Sequence, residues 1–166
     1  MAHGDAITLV LMRHGVAEDP DARPTDEARE LTPEGLVAAD AAARGLVALG
    51  VRPDVVVSSP LIRCEQTAGL VARVAECVIE QDLRLSPGMT TDDLLQIVIE
   101  HPDARTILCC SHQPGLTYAL DALTNCGEVA FGRPQAAVVT LHSPRVGGGT
   151  LTAVLPPAML RRAAPR

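Results

Sequence analysis

Residues 7–12, 54–58 and 106–110 form three runs in which apolar and β-branched residues follow one another with little polar interruption. A strand with one wet face alternates apolar and polar residues. Runs like these suit central strands of a sheet covered on both faces. Weaker runs at 77–81, 137–142 and 150–155 bring the expected strand count to six.

Helical patterns fill the intervals. Thr32-Pro33-Glu34 supplies an N-cap, a first-turn proline and an early acid, and Gly50 closes that helix after Leu49. Ser59-Pro60 opens a second helix, in which Leu61, Cys64, Ala68, Val71 and Ala75 recur at helical spacing. A third covers Thr91 to Glu100 and stops at His101-Pro102; a fourth runs from Pro114-Gly115 to about Leu123. Strands alternating with helices predict a three-layer α/β/α sandwich around a mostly parallel sheet of about six strands. The last two strands, joined by the Pro/Gly-rich segment Ser143 to Gly149, are expected to form a hairpin. The stretch from Glu18 to Arg29, rich in Asp, Glu, Ala and Pro, reads as a surface loop. With no repeat or linker in view, residues 1–166 are expected to be one domain.

Ligands of open α/β sheets bind beyond the carboxyl ends of the strands. The first apolar run ends on Arg13-His14-Gly15. The second ends on Ser58-Ser59-Pro60, with Arg63 one turn further on, and the fourth on Ser111-His112-Gln113-Pro114-Gly115. Two of these ends lead into helices, whose first backbone N–H groups are unpaired and attract anions. The forked guanidinium groups of Arg13 and Arg63 match phosphate oxygens, and Gly15 would let the backbone pass close beneath a ligand. Each piece alone is weak, since Ser-Pro starts many helices and Gln-Pro-Gly is a common turn. Their joint placement at three strand ends predicts a phosphoryl site. His3, His101 and His142 stand apart from it and read as capping or surface histidines.

Composition narrows the field. The chain has a formal net charge of −6, and its aromatic residues are Phe131 and Tyr118, which disfavours a nucleic-acid surface. Cys64, Cys77, Cys109, Cys110 and Cys126 form neither a C-x-x-C pair nor a zinc spacing, and they read as reduced thiols of a cytoplasmic protein. No cysteine is followed by the x₅-Arg spacing of a phosphate-cradling loop, and no clustered His/Asp metal motif is present. The first apolar run lacks a basic flank and is too short to span a membrane, so neither export nor membrane insertion is expected.

These motifs, in this order, resemble those of the histidine phosphatase superfamily, the phosphoglycerate-mutase-like proteins. Arg13-His14-Gly15 resembles its signature, Ser58-Ser59-Pro60-Leu61 with Arg63, Gln66, Thr67 and Ala68 its second arginine motif, and Ser111-His112-Gln113-Pro114 its second histidine motif. Leu31-Thr32-Pro33-Glu34-Gly35 resembles the L-T-x-x-G that begins its first helix. The resemblance implies a phosphoglycerate-mutase-like fold and a covalent mechanism. His14 would be the nucleophile, and Arg13, Arg63, Gly15 and a protonated His112 would hold the phosphoryl group, with no metal or other cofactor. It also implies a proton donor beyond the third strand, for which Asp82 is the candidate and Glu80 the reserve; a phosphoramidate substrate would make such a donor less necessary.

Between Arg63 and His112 a strand, the Leu83 to Thr90 loop and one helix take up most of the chain, leaving no room for a lid insertion. An open site suits a phosphorylated side chain on a protein, and the compact SixA-like branch, the phosphohistidine phosphatases, is similar in size and motifs. Val16-Ala17-Glu18-Asp19 departs from the Glu or Gln and later Asn that mutases carry here. The partner expected is therefore a phosphorylated protein, such as a histidine phosphotransfer domain. The alternatives are a broad phosphomonoesterase acting on a small phosphorylated metabolite or phosphopeptide, and a catalytically silent phosphate-binding module.

Overall fold

The computed structural model describes residues 6–165; His3 lies outside them. Six strands form one sheet: β1 (Ile7–Arg13), β2 (Val55–Ser58), β3 (Val78–Gln81), β4 (Thr106–Ser111), β5 (Gln135–Leu141) and β6 (Gly149–Leu155). Their order across the sheet is β3-β2-β4-β1-β5-β6. The first four strands in that order run parallel; β5 is antiparallel to both β1 and β6, so the expected closing hairpin is present.

Four helices occupy the expected intervals: α1 (Pro33–Ala48), α2 (Ile62–Ala75), α3 (Thr91–Ile99) and α4 (Gly115–Thr124). Thr32 caps α1 by accepting from the Gly35 N–H at 2.9 Å, and Thr90 with Asp93 forms a capping box at the start of α3. The second helix starts at Ile62 rather than at Ser59-Pro60, because residue 61 is still extended. A fifth helix, α5 (Pro157–Ala163), was not expected. Seven residues are too few to sustain a helix by propensity, so its packing holds it. Leu160 is fully buried, and its carbonyl lies where a Cβ on Gly45 of α1 would come within 1.9 Å.

The unbroken apolar runs are explained by two cores. Along β1, Leu9 and Leu11 pack with Leu94, Ile97, Leu116 and Leu120 of α3 and α4. Val10 and Met12 pack on the opposite face with Leu46, Val71 and Leu160 of α1, α2 and α5. Successive residues of a strand point to opposite faces, so helices on both sides require apolar residues at every position. Fully burying a side chain such as Leu contributes about 2 kcal/mol, and both faces of the central strands are filled in this way. The result is the expected α/β/α sandwich.

Register then sets the site. Arg13 pairs with Ser111 across β1 and β4, and Ser58 with Cys110 across β2 and β4. The carboxyl ends of these three adjacent parallel strands finish side by side, which carries His14, Ser59 and His112 to one edge of the sheet.

Candidate active site

A cavity of about 300 Å³ opens at that edge, lined by Arg13, His14, Asp26, Arg29, Arg63, Pro87, His112, Gln113 and Arg133. His14 is buried in its wall, and its ring centroid lies 5.3 Å from that of His112. Nδ1 of His14 donates to the Gly15 carbonyl at 2.7 Å, which fixes the tautomer and leaves a lone pair on Nε2. Burial pushes the His14 pKa down to about 3. The Gly15 hydrogen bond opposes that shift, and the charges of His112, Arg63 and Arg13 reinforce it. At neutral pH the ring is therefore an uncharged base.

Gly15 does something other than what the sequence suggested. Its N–H donates to Thr67 Oγ1 at 3.0 Å and its carbonyl holds His14, so neither group is offered to a ligand. A Cβ at residue 15 would meet the Gly35 carbonyl and Leu31 Cδ2, each at 3.2 Å. Its small size serves packing against the entry to α1. Thr67 Oγ1 in turn donates to the Arg63 carbonyl at 2.8 Å, which ties the end of β1 to the first turns of α2.

The arginines are held differently. Arg13 donates through one terminal nitrogen to the Phe131 carbonyl at 2.6 Å. Its Nε is the one buried side-chain polar atom without a partner among the described residues. Such atoms are rare in proteins, and this one is a donor waiting for an acceptor. Burial lowers the Arg13 pKa, with a further push from the charge of Arg133. Arg63 is buried and faces His112 Nδ1 at 3.5 Å, at the limit of a hydrogen bond. Its terminal nitrogens also donate to the Asp26 carbonyl at 2.8 Å and to the Asp26 carboxylate at 2.9 Å.

His112 Nε2 lies 2.8 Å from Ser59 Oγ. With a guanidinium facing Nδ1, the consistent assignment puts the proton on Nε2, where it is donated to Ser59. Cys64 Sγ sits 3.5 Å behind the same nitrogen, and Cys64, Cys109 and Cys110 are all fully buried.

The expectation for the proton donor needs correcting. Asp82 is not among the residues lining the cavity. It caps the turn Leu83–Leu85 by accepting from the Arg84 N–H, and it pairs with the Arg84 guanidinium at 2.6 Å. These bonds from Arg84 hold its carboxyl below the usual range although burial opposes them, so it is a firm anion rather than an acid. Glu80, the reserve, pairs with His101 at 3.2 Å and lies outside the cavity too.

The carboxylate that does line the cavity is Asp26, from the stretch read as a surface loop. It bridges Arg29 at 2.7 Å and Arg63 at 2.9 Å, which lowers its pKa despite partial burial. Sequence reasoning missed Asp26, Arg29 and Arg133. The two arginines double the cationic lining, and the only available signal was their sign in an acidic chain. The geometry brings together an uncharged imidazole, four guanidinium groups and one carboxylate. Within it, Arg13 and Arg63, whose charges reach His14, can hold a tetrahedral oxyanion in front of a nucleophilic nitrogen.

Comparison with known proteins agrees with this geometry. The sequence model of the histidine phosphatase superfamily (branch 1) matches residues 9–86. The structure of the protein histidine phosphatase SixA complexed with tungstate superimposes with a TM-score of 0.79 at 25% identity, over 93% of this chain and 99% of that one. A Nakamurella multipartitia protein assigned as a SixA phosphohistidine phosphatase gives 0.78 at 27% identity, over 91% and 96%. An uncharacterised chloroplast protein of Arabidopsis thaliana is 26% identical over 170 residues, spanning 90% of this chain and 77% of its own length.

Proposed function

The chain belongs to the histidine phosphatase superfamily, within its compact SixA-like branch, and we propose that this phosphatase removes phosphate from phosphohistidine on a protein. The observation that carries the reading is the 2.7 Å bond from His14 Nδ1 to the Gly15 carbonyl, which leaves Nε2 as the nucleophile in a cavity walled by arginines. That a similar protein is solved with tungstate, a tetrahedral oxyanion, supports a phosphoryl group as the occupant.

In the first step the Nε2 lone pair of His14 forms a bond to phosphorus while the bond to the leaving group breaks with its electron pair. Arg13, through its unpartnered Nε, and Arg63 meet the charge on the equatorial oxygens, and Arg29 adds to the field. A substrate imidazole that carries a proton on its other nitrogen departs as a neutral ring and needs no acid from the protein. This fits a site whose carboxylates are held as anions. In the second step water attacks phosphorus, the N–P pair returns to Nε2 of His14, and the water's proton passes to the released phosphate or to solvent. The Gly15 carbonyl keeps Nδ1 protonated throughout, so His14 leaves as a neutral imidazole.

The rim supports a protein substrate over an enclosed metabolite: Asp26, Pro87 and Arg133 are exposed, and a side chain projecting from a surface can reach the cavity. We read residues 1–166 as one histidine phosphatase domain acting in this way. The test compares wild type with His14→Ala on a phosphohistidine phosphotransfer protein and on a panel of small phosphate esters, with chelator present. Wild type should prefer the phosphoprotein and trap phosphate on His14, and the variant should be inactive on every substrate. Activity that survives the substitution or is lost to chelator would refute the chemistry. Equal or better turnover of a small ester would refute the substrate.

A further inference from the structure

The cationic lining exceeds what one phosphoryl group needs. Arg13, Arg29, Arg63 and Arg133 face the cavity together with a single carboxylate, Asp26, which Arg29 and Arg63 share. A bound phosphoryl dianion and Asp26 together still leave one positive charge unmet. The positions identify which one. Arg13 and Arg63 sit at the reacting centre, and Arg29 is bound to Asp26 and to the Glu18 carbonyl. Arg133 is exposed at the mouth and, among the described residues, makes neither a hydrogen bond nor an ion pair. Its charge instead works against the neighbouring Arg13.

An exposed arginine usually finds a carboxylate or turns to water. Here no carboxylate is supplied, although the chain as a whole carries six excess negative charges. Glu128 lines an adjoining recess that shares Arg13 and Gln113 with the cavity but not Arg133. The mouth is therefore polarised, with an unneutralised cation on the Arg133 side. We propose that Arg133 forms a second anion subsite that selects protein substrates carrying a carboxylate next to the phosphorylated histidine. This inference rests on the phosphohistidine reading of the site and names the kind of segment it takes.

Two synthetic peptides, each phosphorylated on one histidine and identical except for Glu or Gln on either side of it, test the subsite. kcat/KM is measured at low ionic strength for wild type, Arg133→Gln and Arg133→Lys, with phosphoramidate as a control. A single exposed charge pair corresponds to a preference of up to about fivefold, so wild type should favour the Glu peptide by about that factor. Arg133→Gln should treat the two alike, and Arg133→Lys should keep part of the preference. Arg133 has no partner to lose, so both variants should fold. Equal turnover by wild type, a preference surviving in Arg133→Gln, or an equal loss on both peptides would overturn the proposal while leaving the phosphohistidine reading standing. Hydrolysis of phosphoramidate with neither peptide turned over would overturn that reading as well.

Discussion

The guanidinium of Arg63 grips Asp26 twice, donating to its carbonyl at 2.8 Å and to its carboxylate at 2.9 Å across 37 residues of sequence. Through this pair the loop between β1 and α1 is fastened over the site, and the Ile62 N–H adds a bond to the Glu27 carbonyl at 3.2 Å. A buried cation in the cavity wall is thereby held by a half-exposed anion at the rim. The loop is part of the site's wall.

Asp26→Asn should weaken this fastening by about 1 kcal/mol, the upper end for a pair with one exposed member. The native carboxyl is held low, first by Arg29 and then, against burial, by Arg63. Its contribution is thus fully present above the unfolded carboxyl pKa and lost as pH falls through the folded one. Denaturant unfolding of wild type and variant should differ by a constant amount above about pH 5 and converge in stronger acid. A constant difference down to pH 2 would contradict the assignment.

The depressed pKa of His14 acts in the same direction, but from burial that favours the neutral form rather than from partners that favour a charge. Its folded value of about 3 lies below the unfolded value near 6.5, so between these the unfolded chain binds the extra proton and stability falls as pH falls. His14→Asn should therefore lose stability less steeply than wild type across this window, by up to about 1.4 kcal/mol per pH unit. kcat/KM should show no protonation of His14 between pH 5 and 8. A limb near pH 6.5 that follows His14 would show the ring to be less buried than the structure has it.

Thr67 joins the end of β1 to α2, accepting from the Gly15 N–H while donating to the Arg63 carbonyl within the helix. Thr67→Val keeps the shape but strands the buried Gly15 N–H, costing about 1–3 kcal/mol, whereas Thr67→Ser retains the hydroxyl. Thermal melts should rank Val below Ser. Trapped phosphate on His14 should form more slowly in Val, because the Gly15 backbone orients the imidazole. Equal melts for the two would remove Thr67 from this role.

Asp82→Asn separates the two accounts of the missing acid. With its carboxylate committed to Arg84, the substitution should lower the melting temperature by a few degrees and change kcat less than twofold, an effect of roughly 0.4 kcal/mol on the barrier. A hundredfold drop in kcat, with the pH profile losing its alkaline limb, would restore Asp82 as the proton donor.

Much of this molecule is legible in local sequence. The apolar runs of β1, β2 and β4 reveal a sheet covered on both faces, and the residues that follow each run identify His14, Arg63 and His112. Thr32 and Gly50 mark the ends of α1 because capping depends on a few neighbouring residues. By contrast α5 carries little local signal beyond Pro157 at its first position: its short run exists because Leu160 fits against Gly45, a contact formed 115 residues apart in sequence.

The sequence by itself determined the strand ends and the core residues that meet there, since strand periodicity and helix starts are short-range properties of the chain. The tertiary structure decided which carboxylate lines the cavity beside His14 and how many arginines share it. Asp26 and Asp82 are the same residue type, each close to an arginine, and no local pattern separates them. Docking of the first loop on Arg63 turns Asp26 inward, while Arg84 keeps Asp82 away. Loops without periodicity take their side-chain directions from what they pack against, so Asp26, Arg29 and Arg133 became visible only in three dimensions.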